Sequence, residues 1–276
     1  MEKKLIHMFH RARALAAMLA ASTLLTACGG GGGAGGDGAS GGGIMPTRFA
    51  YVANGGSNDV SAYSINAATG ALSAVGAAVA AGTGPNSITV DPTGKFLYVA
   101  NFGSNDISAY SINAATGALS AVGAAVAAGT GPASVTVHPG GKFAYVANFD
   151  SNDVLAYSIN AATGALSAVG AAVAAGTGPV YITVDPSGKF VYSANRDADS
   201  VSAYSINATT GALTAVGPAV GAGGTGPSSV TVDPSGKFVY VTISGLNNSG
   251  NAAARGIFMA DGTCVCVIGN RSLTCA

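Results

Sequence analysis

Charged side chains are scarce in this sequence of 276 residues. They make up 9% of the chain, against about a quarter of ordinary globular domains, and the formal net charge is zero. A protein that holds nucleic acid through its phosphates needs a basic surface, which this composition does not provide. The sequence therefore predicts no nucleic-acid partner.

Side chains for acid–base chemistry are also few. The only glutamate is Glu2, and His138 is the one histidine beyond the first ten residues. His138 precedes a proline at the position that Asp91, Asp185 and Asp233 hold in related segments, so we expect a turn substitution rather than a catalytic base. The glycine-rich stretches lack the lysine-bearing context of a phosphate loop, and no cofactor is predicted.

Cysteine is nearly absent, and its few positions lie near the two ends. They are Cys28, Cys264, Cys266 and Cys275. An exported protein can form disulfides, but the three tail cysteines leave one unpaired and their pairing stays open. The long middle of the chain has no cysteine, so disulfides do not stabilise it.

The first 28 residues are typical of a secretory signal. Basic residues precede an apolar run from Ala14 to Leu25, which is far shorter than the roughly 20 residues of a membrane-spanning helix. The "LTAC" that ends at Cys28 resembles a bacterial lipobox, which implies a lipid on Cys28; an ordinary signal peptide is the alternative. Gly29, in place of Asp, favours the outer membrane. Residues 29–47 are a glycine-rich tether.

The middle of the chain is a repeat. The 24 residues "AYSINAATGALSAVGAAVAAGTGP" occur at 62–85, 109–132 and 156–179, and a related phrase begins at Phe49, Phe96, Phe143, Phe190 and Phe238. Each unit predicts four short strands, for example 87–90, 95–101, 106–113 and 118–129, separated by Asp-Pro and Gly-containing turns. Four antiparallel strands in about 45 residues predict an all-β fold, a propeller of four to five blades over residues 48–243.

The repeat phrase "YVAN…SNDVSAYSINAATGALSAVG" resembles that of the lactonase-type propellers, which include 6-phosphogluconolactonase and the YVTN-repeat surface proteins. The resemblance implies seven blades, which need about 330 residues at this period. Three ways of ending the ring remain open. Strand 229–232 completes the first sheet, the tail at 244–276 builds a fifth blade, or an open arc is completed by a second copy as a homo-oligomer.

Two groups of polar residues are candidate sites. The resemblance implies acidic, His and Arg groups in a central pocket, and Arg196, Asp197 and Asp199 are the weak catalytic candidates because they break the repeat. Asp59, Asp106 and Asp153 recur on the same predicted face and are weak candidates for Ca²⁺. The four Lys residues of the opposite face are expected to be solvated: Lys95, Lys142, Lys189 and Lys237.

Repeated identical groups suit binding more than catalysis, which brings unlike groups together. The sequence therefore favours a membrane-tethered envelope lipoprotein that binds or displays an unknown envelope ligand without catalysis. The alternatives are a lactone hydrolase, and a truncated, non-functional member of the family. The second alternative rests on the loss of the repeat pattern after Val241.

Overall fold

The computed structural model describes residues 48–244, 255–259 and 266–268, which belong to the compact unit Pro46–Ala276. The signal segment, the tether and Cys28 lie outside the described residues, as do Cys264 and Cys275. Every regular element of the described residues is a β-strand. None of these residues forms a helix that is long and apolar enough to cross a bilayer.

The strands form five antiparallel sheets in chain order. The first sheet contains β1 (Arg48–Asn54), β2 (Asp59–Ile65), β3 (Leu72–Ala74) and β4 (Val79–Ala80). The second contains β5 (Pro85–Val90), β6 (Phe96–Asn101), β7 (Asp106–Ile112), β8 (Leu119–Ala121) and β9 (Val126–Ala127). The third contains β10 (Pro132–Val137), β11 (Phe143–Asn148), β12 (Asp153–Ile159) and β13 (Leu166–Ala174).

The fourth sheet contains β14 (Pro179–Val184), β15 (Phe190–Asn195), β16 (Ser200–Ile206), β17 (Leu213–Ala215) and β18 (Val220–Gly221). The fifth contains β19 (Pro227–Val232), β20 (Phe238–Ile243), β21 (Arg255–Met259) and β22 (Cys266–Ile268). The predicted all-β propeller architecture is confirmed, with five blade-like sheets among the described residues.

Each complete sheet runs from an inner strand to an outer strand. In the second sheet β5 pairs β6, β6 pairs β7, and both β8 and β9 pair β7, so the last two are halves of one outer strand. Gly123, with φ of 64°, lies in the gap between the halves, where glycine tolerates a left-handed backbone at low cost. β13 keeps the same register, since Val154 pairs Val173 as Ile107 pairs Val126, and its pairing shifts between Val154 and Ala156 at the place of the gap.

The two ends of the series differ from the middle. β1 is equivalent to β6, so within the described residues the first sheet lacks an inner strand. Strand 229–232 does not complete that sheet, because it lies in β19 and pairs β20. β21 and β22 extend the fifth sheet, as the fifth-blade alternative expects.

Consecutive sheets are joined by contacts that recur at the first three junctions. Tyr98 donates its hydroxyl proton to the Gly164 carbonyl of the next sheet at 3.0 Å, and Tyr157 donates back to the Ala127 carbonyl at 2.8 Å. The Phe96 ring packs directly against Gly164, where it leaves no room for a Cβ. Burial raises the pKa of Tyr98 and raises that of Tyr157 to about 12, because phenolate would lose its hydration. The described residues form four apolar clusters, one at each junction of consecutive sheets.

Candidate functional site

Antiparallel pairing sorts the connections of each sheet onto two faces. We name the loop face for the connections that follow the second strand of a unit and those that lead to the next inner strand: 55–58, 102–105, 149–152, 196–199, 81–84, 128–131, 175–178 and 222–226. The turn face carries the turns that begin with Asp-Pro or His-Pro and end with Lys: 91–95, 138–142, 185–189 and 233–237. Both candidate sets from the sequence lie on the loop face.

A left-handed residue fixes each loop to the next sheet. Asn105 and Asn152 have φ of 60° and 59°, and their side-chain oxygens accept the backbone N–H of Gly131 and Gly178, both at 2.8 Å. Asp199 holds the equivalent position, with φ of 49°, and accepts the N–H of Gly226 at 2.7 Å. Asparagine and aspartate adopt this conformation more readily than other residues with side chains. The Asp199 carboxylate therefore helps to anchor the start of the fifth sheet.

The three proposed calcium ligands are engaged within their own sheets. Asp106 and Asp153 each accept the Nδ2–H of the asparagine that ends the preceding strand, Asn101 and Asn148, at 2.7 Å. Asp59 makes the same bond with Asn54. The three carboxylates lie on three different sheets, and among residues 48–244 and the two short tail strands no three Asp, Glu, His or Cys side chains group closely enough to hold a metal. The calcium site stays a prediction.

The fourth sheet departs from the others in its buried polar groups. Asn195 Oδ1 accepts the hydroxyl of Ser193 at 3.0 Å, and its Nδ2 donates to Ser200 and Ser202 at 3.2 and 2.9 Å. In the second and third sheets a valine replaces this Ser193, and an aspartate replaces Ser200. All four side chains are buried. The chemistry of the repeat therefore changes in the sheet whose second strand is followed by Arg196.

One row of side chains distinguishes the sheets on the loop face. Phe102, Phe149 and Arg196 occupy the same place in consecutive units, immediately after the asparagine that ends the second strand. The two phenyl rings lie 6.3 Å apart, and the Arg196 guanidinium lies 4.8 Å from the centre of the Phe149 ring. A cation placed over an aromatic face is attracted to its π electrons. We call these three residues the aromatic–arginine row.

Asp197 completes the asymmetric part of this face. Its Oδ1 lies 3.4 Å from Arg196 Nε, and both side chains are partly exposed to solvent. Such a pair adds little stability, because water screens it. The planar guanidinium of Arg196 is instead held between the Asp197 carboxylate and the Phe149 ring. It is a fixed cationic group that can bind an anion. The structure thus brings together two of the three catalytic candidates, Arg196 and Asp197.

The phenylalanines of the row were missed by reasoning from the sequence. Their signal was available, since this position reads Gly55, Phe102, Phe149 and Arg196 after a constant Ala-Asn. The two positions that follow vary less, between Gly and Asp and between Ser and Ala. That position varies while the flanking residues hold the fold, which is the pattern expected where binding groups are carried on a rigid scaffold.

His138 lies on the turn face, away from the row. Its Nδ1 accepts the N–H of Gly140 at 2.8 Å, so the ring proton lies on Nε2, which contacts the Gly188 carbonyl of the fourth sheet at 3.0 Å. The ring also meets Phe143 edge-on at 5.9 Å. In the equivalent turn of the second sheet, the Asp91 carboxylate accepts hydrogen bonds from the backbone N–H groups of Lys95 and Phe96, at 2.8 and 2.7 Å. Both residues hold a turn in place.

The two faces differ in charge. Between residues 48 and 244, the loop face carries one arginine, Arg196, and six carboxylates: Asp59, Asp106, Asp150, Asp153, Asp197 and Asp199. The turn face carries the four exposed lysines with Asp91, Asp185 and Asp233. A hydrogen bond from the Ser235 hydroxyl, followed by the N–H of Phe238, lowers the pKa of Asp233 below its ordinary value.

A cavity of about 200 Å³ opens between the outer strands of the first and second sheets. Its lining is mostly alanine and glycine with Ser108 and Tyr110, and the Tyr110 hydroxyl is bonded to the Ala80 carbonyl at 2.7 Å. No charged side chain lines it. It therefore offers no group for catalysis, and the loop face remains the candidate site.

The family model "Lactonase, 7-bladed beta-propeller" matches residues 34–131 and 122–226, which together cover more than half of the chain. A search of curated proteins finds no match.

Solved structures with a similar fold include several proteins whose names refer to lactonases. A putative 6-phosphogluconolactonase from Bacteroides uniformis is 21% identical, with a TM-score of 0.69, over 81% of this chain and 68% of its own. One from Bacteroides fragilis is 25% identical, with a TM-score of 0.66, over 81% and 66%. A periplasmic gluconolactonase from Pseudomonas aeruginosa is 21% identical, with a TM-score of 0.61, over 76% and 62%. The chain thus spans about two thirds of the length of these structures.

Proposed function

The chain belongs to the lactonase family of seven-bladed β-propellers, and from that premise we propose that it hydrolyses a lactone on the loop face. The observation that carries the proposal is the Arg196–Asp197 pair, which joins a fixed cation and a carboxylate at 3.4 Å where the repeat loses its symmetry. Family membership favours this function over a scaffold without catalysis.

The proposed reaction uses the two groups for different steps. A water oxygen attacks the lactone carbonyl carbon while the Asp197 carboxylate accepts the water proton. The guanidinium of Arg196 faces the oxyanion of the tetrahedral intermediate. When the intermediate collapses, the acyl C–O bond of the ring breaks, and the departing alkoxide takes the proton from Asp197. The product is the open hydroxy acid.

The charge of the loop face supports an unphosphorylated substrate. Six carboxylates against one arginine repel a phosphate dianion, whereas a neutral lactone acquires its negative charge only in the transition state. A predicted secretory signal fits the same substrate class, because phosphorylated sugars are cytoplasmic. The periplasmic gluconolactonase with this fold is a protein whose name describes such an activity outside the cytoplasm.

The proposal is tested by following acid release in a pH-stat with glucono-δ-lactone and with 6-phosphogluconolactone. We expect hydrolysis of the neutral lactone above the spontaneous rate. Arg196→Ala should lower kcat/KM by about 100-fold or more, the usual effect of losing an oxyanion donor. Asp197→Asn should lower kcat with little change in KM, since it removes a base rather than a binding group.

Lys189→Ala is the control, because Lys189 is exposed on the turn face. Its rate should equal that of the unchanged protein. Hydrolysis no faster than in buffer would reject the enzyme and leave a binding scaffold as the function.

That second function, a binding scaffold, draws on a separate observation. Asp59, Asp106 and Asp153 are each bonded to an asparagine of the preceding strand, and Asp199 is bonded to a backbone N–H, so four of the six loop-face carboxylates already have a structural role. The aromatic–arginine row then serves as a surface for a ring-shaped envelope ligand. Calorimetric binding of the hydroxy acid without any turnover of its lactone would support this function.

We further propose that Cys28 carries a lipid that tethers the protein to the outer membrane. The support is the "LTAC" sequence at the end of an apolar run and the glycine-rich segment after it. Replacing Cys28 with Ser should move the protein from the membrane fraction to the soluble fraction. Unchanged fractionation would contradict the anchor.

A further inference from the structure

We propose that Asn54 is a site of spontaneous deamidation, in which the backbone nitrogen of Gly55 attacks the Asn54 side chain and converts it to aspartate or isoaspartate. The modification belongs to the first sheet and is independent of Arg196 and of the function proposed for the loop face. It follows from one difference within the repeat, because a glycine follows Asn54 where phenylalanine or arginine follows the equivalent asparagines.

Asn54 and Gly55 form the only asparagine–glycine pair in the sequence. The equivalent asparagines of the next three sheets precede Phe102, Phe149 and Arg196. Deamidation requires the nitrogen of the following residue to reach the asparagine Cγ, and a side chain on that residue crowds the approach. Glycine has no side chain and the widest choice of φ and ψ. Gly55 therefore permits a geometry that the three larger residues resist.

Asn54 is also the accessible member of this set of asparagines. Its equivalents in the next three sheets are fully buried: Asn101, Asn148 and Asn195. Asn54 itself is partly exposed, and Gly55 is exposed. The pair of Asn54 with Asp59 is the last of its ladder, and strand ends open most easily. Opening of this pair releases the Asn54 side chain from Asp59, to which its Nδ2 donates at 2.7 Å, and lets water reach it.

The second and third sheets restrain the nitrogen that would attack. The Phe102 N–H donates to the Gly84 carbonyl at 2.9 Å, and the Phe149 N–H donates to the Gly131 carbonyl at 2.8 Å. These bonds fix each nitrogen in place, so that it cannot swing toward the Cγ of the preceding asparagine. Burial of the asparagine and this bond together protect the equivalent sites.

The proposed reaction has two steps. The Gly55 nitrogen loses its proton and forms a bond to Asn54 Cγ, while the Cγ–Nδ2 bond breaks and the departing nitrogen takes up a proton to leave as ammonia. The product is a five-membered succinimide. Water then breaks one of the two ring C–N bonds. Cleavage at Cγ gives aspartate, and cleavage at the backbone carbonyl carbon gives isoaspartate. One water is consumed and one ammonia released, with no oxidation or reduction.

The modification disturbs the contact between loop 55–58 and the second sheet. Asn58 donates its N–H to the Asn54 carbonyl at 2.9 Å, and its side-chain oxygen accepts the Gly84 N–H at 2.8 Å. Isoaspartate adds a methylene group to the backbone between residues 54 and 55, which displaces Asn58. Aspartate replaces the amide that donates to Asp59 by a second carboxylate, and like charges repel. Both products weaken the junction of the first two sheets.

Peptide mapping by mass spectrometry tests the site in the full chain, incubated at pH 9 because the attacking nitrogen must lose its proton. We expect the peptide that contains Asn54 to gain the mass of an amide-to-carboxylate exchange before the peptides of Asn101 and Asn148 change. Gly55→Ala should slow this conversion by about tenfold or more, because the methyl group keeps the nitrogen away from Cγ. No conversion at Asn54 would overturn the proposal.

Gly56→Ala is the matched control, since no atom lies within 4 Å of where its Cβ would be and its nitrogen does not take part. It should convert at the rate of the unchanged chain. Equal slowing by Gly55→Ala and Gly56→Ala would show that the rate depends on the mobility of the loop, against the attack by the Gly55 nitrogen.

Phe102→Gly separates the effect of the fold from that of the dipeptide. It places the same pair at Asn101, which is buried and whose following N–H is bonded to Gly84. In the folded variant Asn101 should convert about tenfold or more slowly than Asn54, because local opening must come first. In concentrated urea the two rates should be equal. Equal rates in the folded chain would contradict the role given to the structure.

Hydrogen exchange tests the consequence. In the converted chain, separated by ion exchange, the Gly84 N–H should exchange faster than before. The Gly131 N–H, which the Asn105 side chain holds at 2.8 Å, should exchange as in the unchanged chain. Constant exchange at Gly84 would mean that loop 55–58 keeps its contact with the second sheet after the modification, contrary to the proposal.

Discussion

At the scale of single residues, the same glycine has different surroundings in different sheets. Gly70 and Gly164 have φ of 73° and 76°, a conformation that costs a residue with a side chain about 1–2 kcal/mol. The Phe96 ring lies against Gly164, while the space beside Gly70 is open. Backbone conformation therefore accounts for both glycines, and packing adds a second requirement at Gly164.

The pair gives a matched prediction. Gly70→Ala should lower the free energy of unfolding by about 1–2 kcal/mol, from the backbone alone. Gly164→Ala should cost about 1–3 kcal/mol more, because the methyl group displaces the Phe96 ring. Urea denaturation measures both values. If the two substitutions cost the same, the ring at Gly164 does not restrict that position.

Residue patterns predicted the structural roles better than the binding groups. Asp91 and His138 precede turn prolines, and both lie in the turns where the sequence put them. The stacking of Phe102, Phe149 and Arg196 was not predictable, because residues 47 apart meet only after the sheets assemble. The hydrogen bonds of Asp59, Asp106 and Asp153 to asparagines were not predictable either, because the register of the paired strands brings these residues together.

At the scale of elements, the strands followed closely from the repeat. The predicted strands at 87–90, 95–101 and 106–113 correspond to β5, β6 and β7 with shifts of one or two residues. The predicted strand at 118–129 is instead two short pieces in the second sheet, yet identical letters form the continuous β13 in the third. The pairings are nearly the same in the two sheets, because the pairing of β13 shifts register at the place where β8 and β9 are separated.

Tyrosines that join the sheets predict how the stability of the fold depends on pH. Burial raises the pKa of Tyr51, Tyr157 and Tyr204 to about 12 from an ordinary value of 10. Above pH 10 the unfolded chain releases these protons while the folded chain keeps them. Stability should therefore be complete below pH 10 and fall between pH 10 and about 12.

Chemical denaturation at a series of pH values checks this expectation. Tyr157→Phe should be less stable at pH 8, since the Ala127 carbonyl loses its donor, and should lose less stability between pH 10 and 12. A stability that stays level from pH 9 to 12 would show that these hydroxyls ionise as readily in the folded chain as in the unfolded one.

At the scale of the whole molecule, each sheet contacts its neighbours through nearly the same side chains. Each of the four apolar clusters combines tyrosine and valine side chains from two consecutive sheets. Proteins of this kind behave as a sum of unit stabilities and nearest-neighbour terms. The number of sheets was the least predictable feature, because the interfaces have nearly the same sequence and none of them indicates how many units the fold contains.

The repeat should therefore tolerate loss of a whole unit. Deleting residues 109–155 joins Ser108 to Ala156 and restores the phrase at the same register, since 109–132 and 156–179 are identical. Tyr98 then meets the turn of the old fourth sheet, where Gly211 already accepts the Tyr145 hydroxyl at 3.2 Å. One interface is lost and the remaining ones keep their contacts.

The shortened chain should fold, with a calorimetric unfolding enthalpy lower by about 33 kcal/mol, from about 0.7 kcal/mol for each of the residues removed. Scanning calorimetry and circular dichroism measure the two quantities. Aggregation without a cooperative transition would mean that the sheets stabilise one another over longer distances than nearest-neighbour contacts.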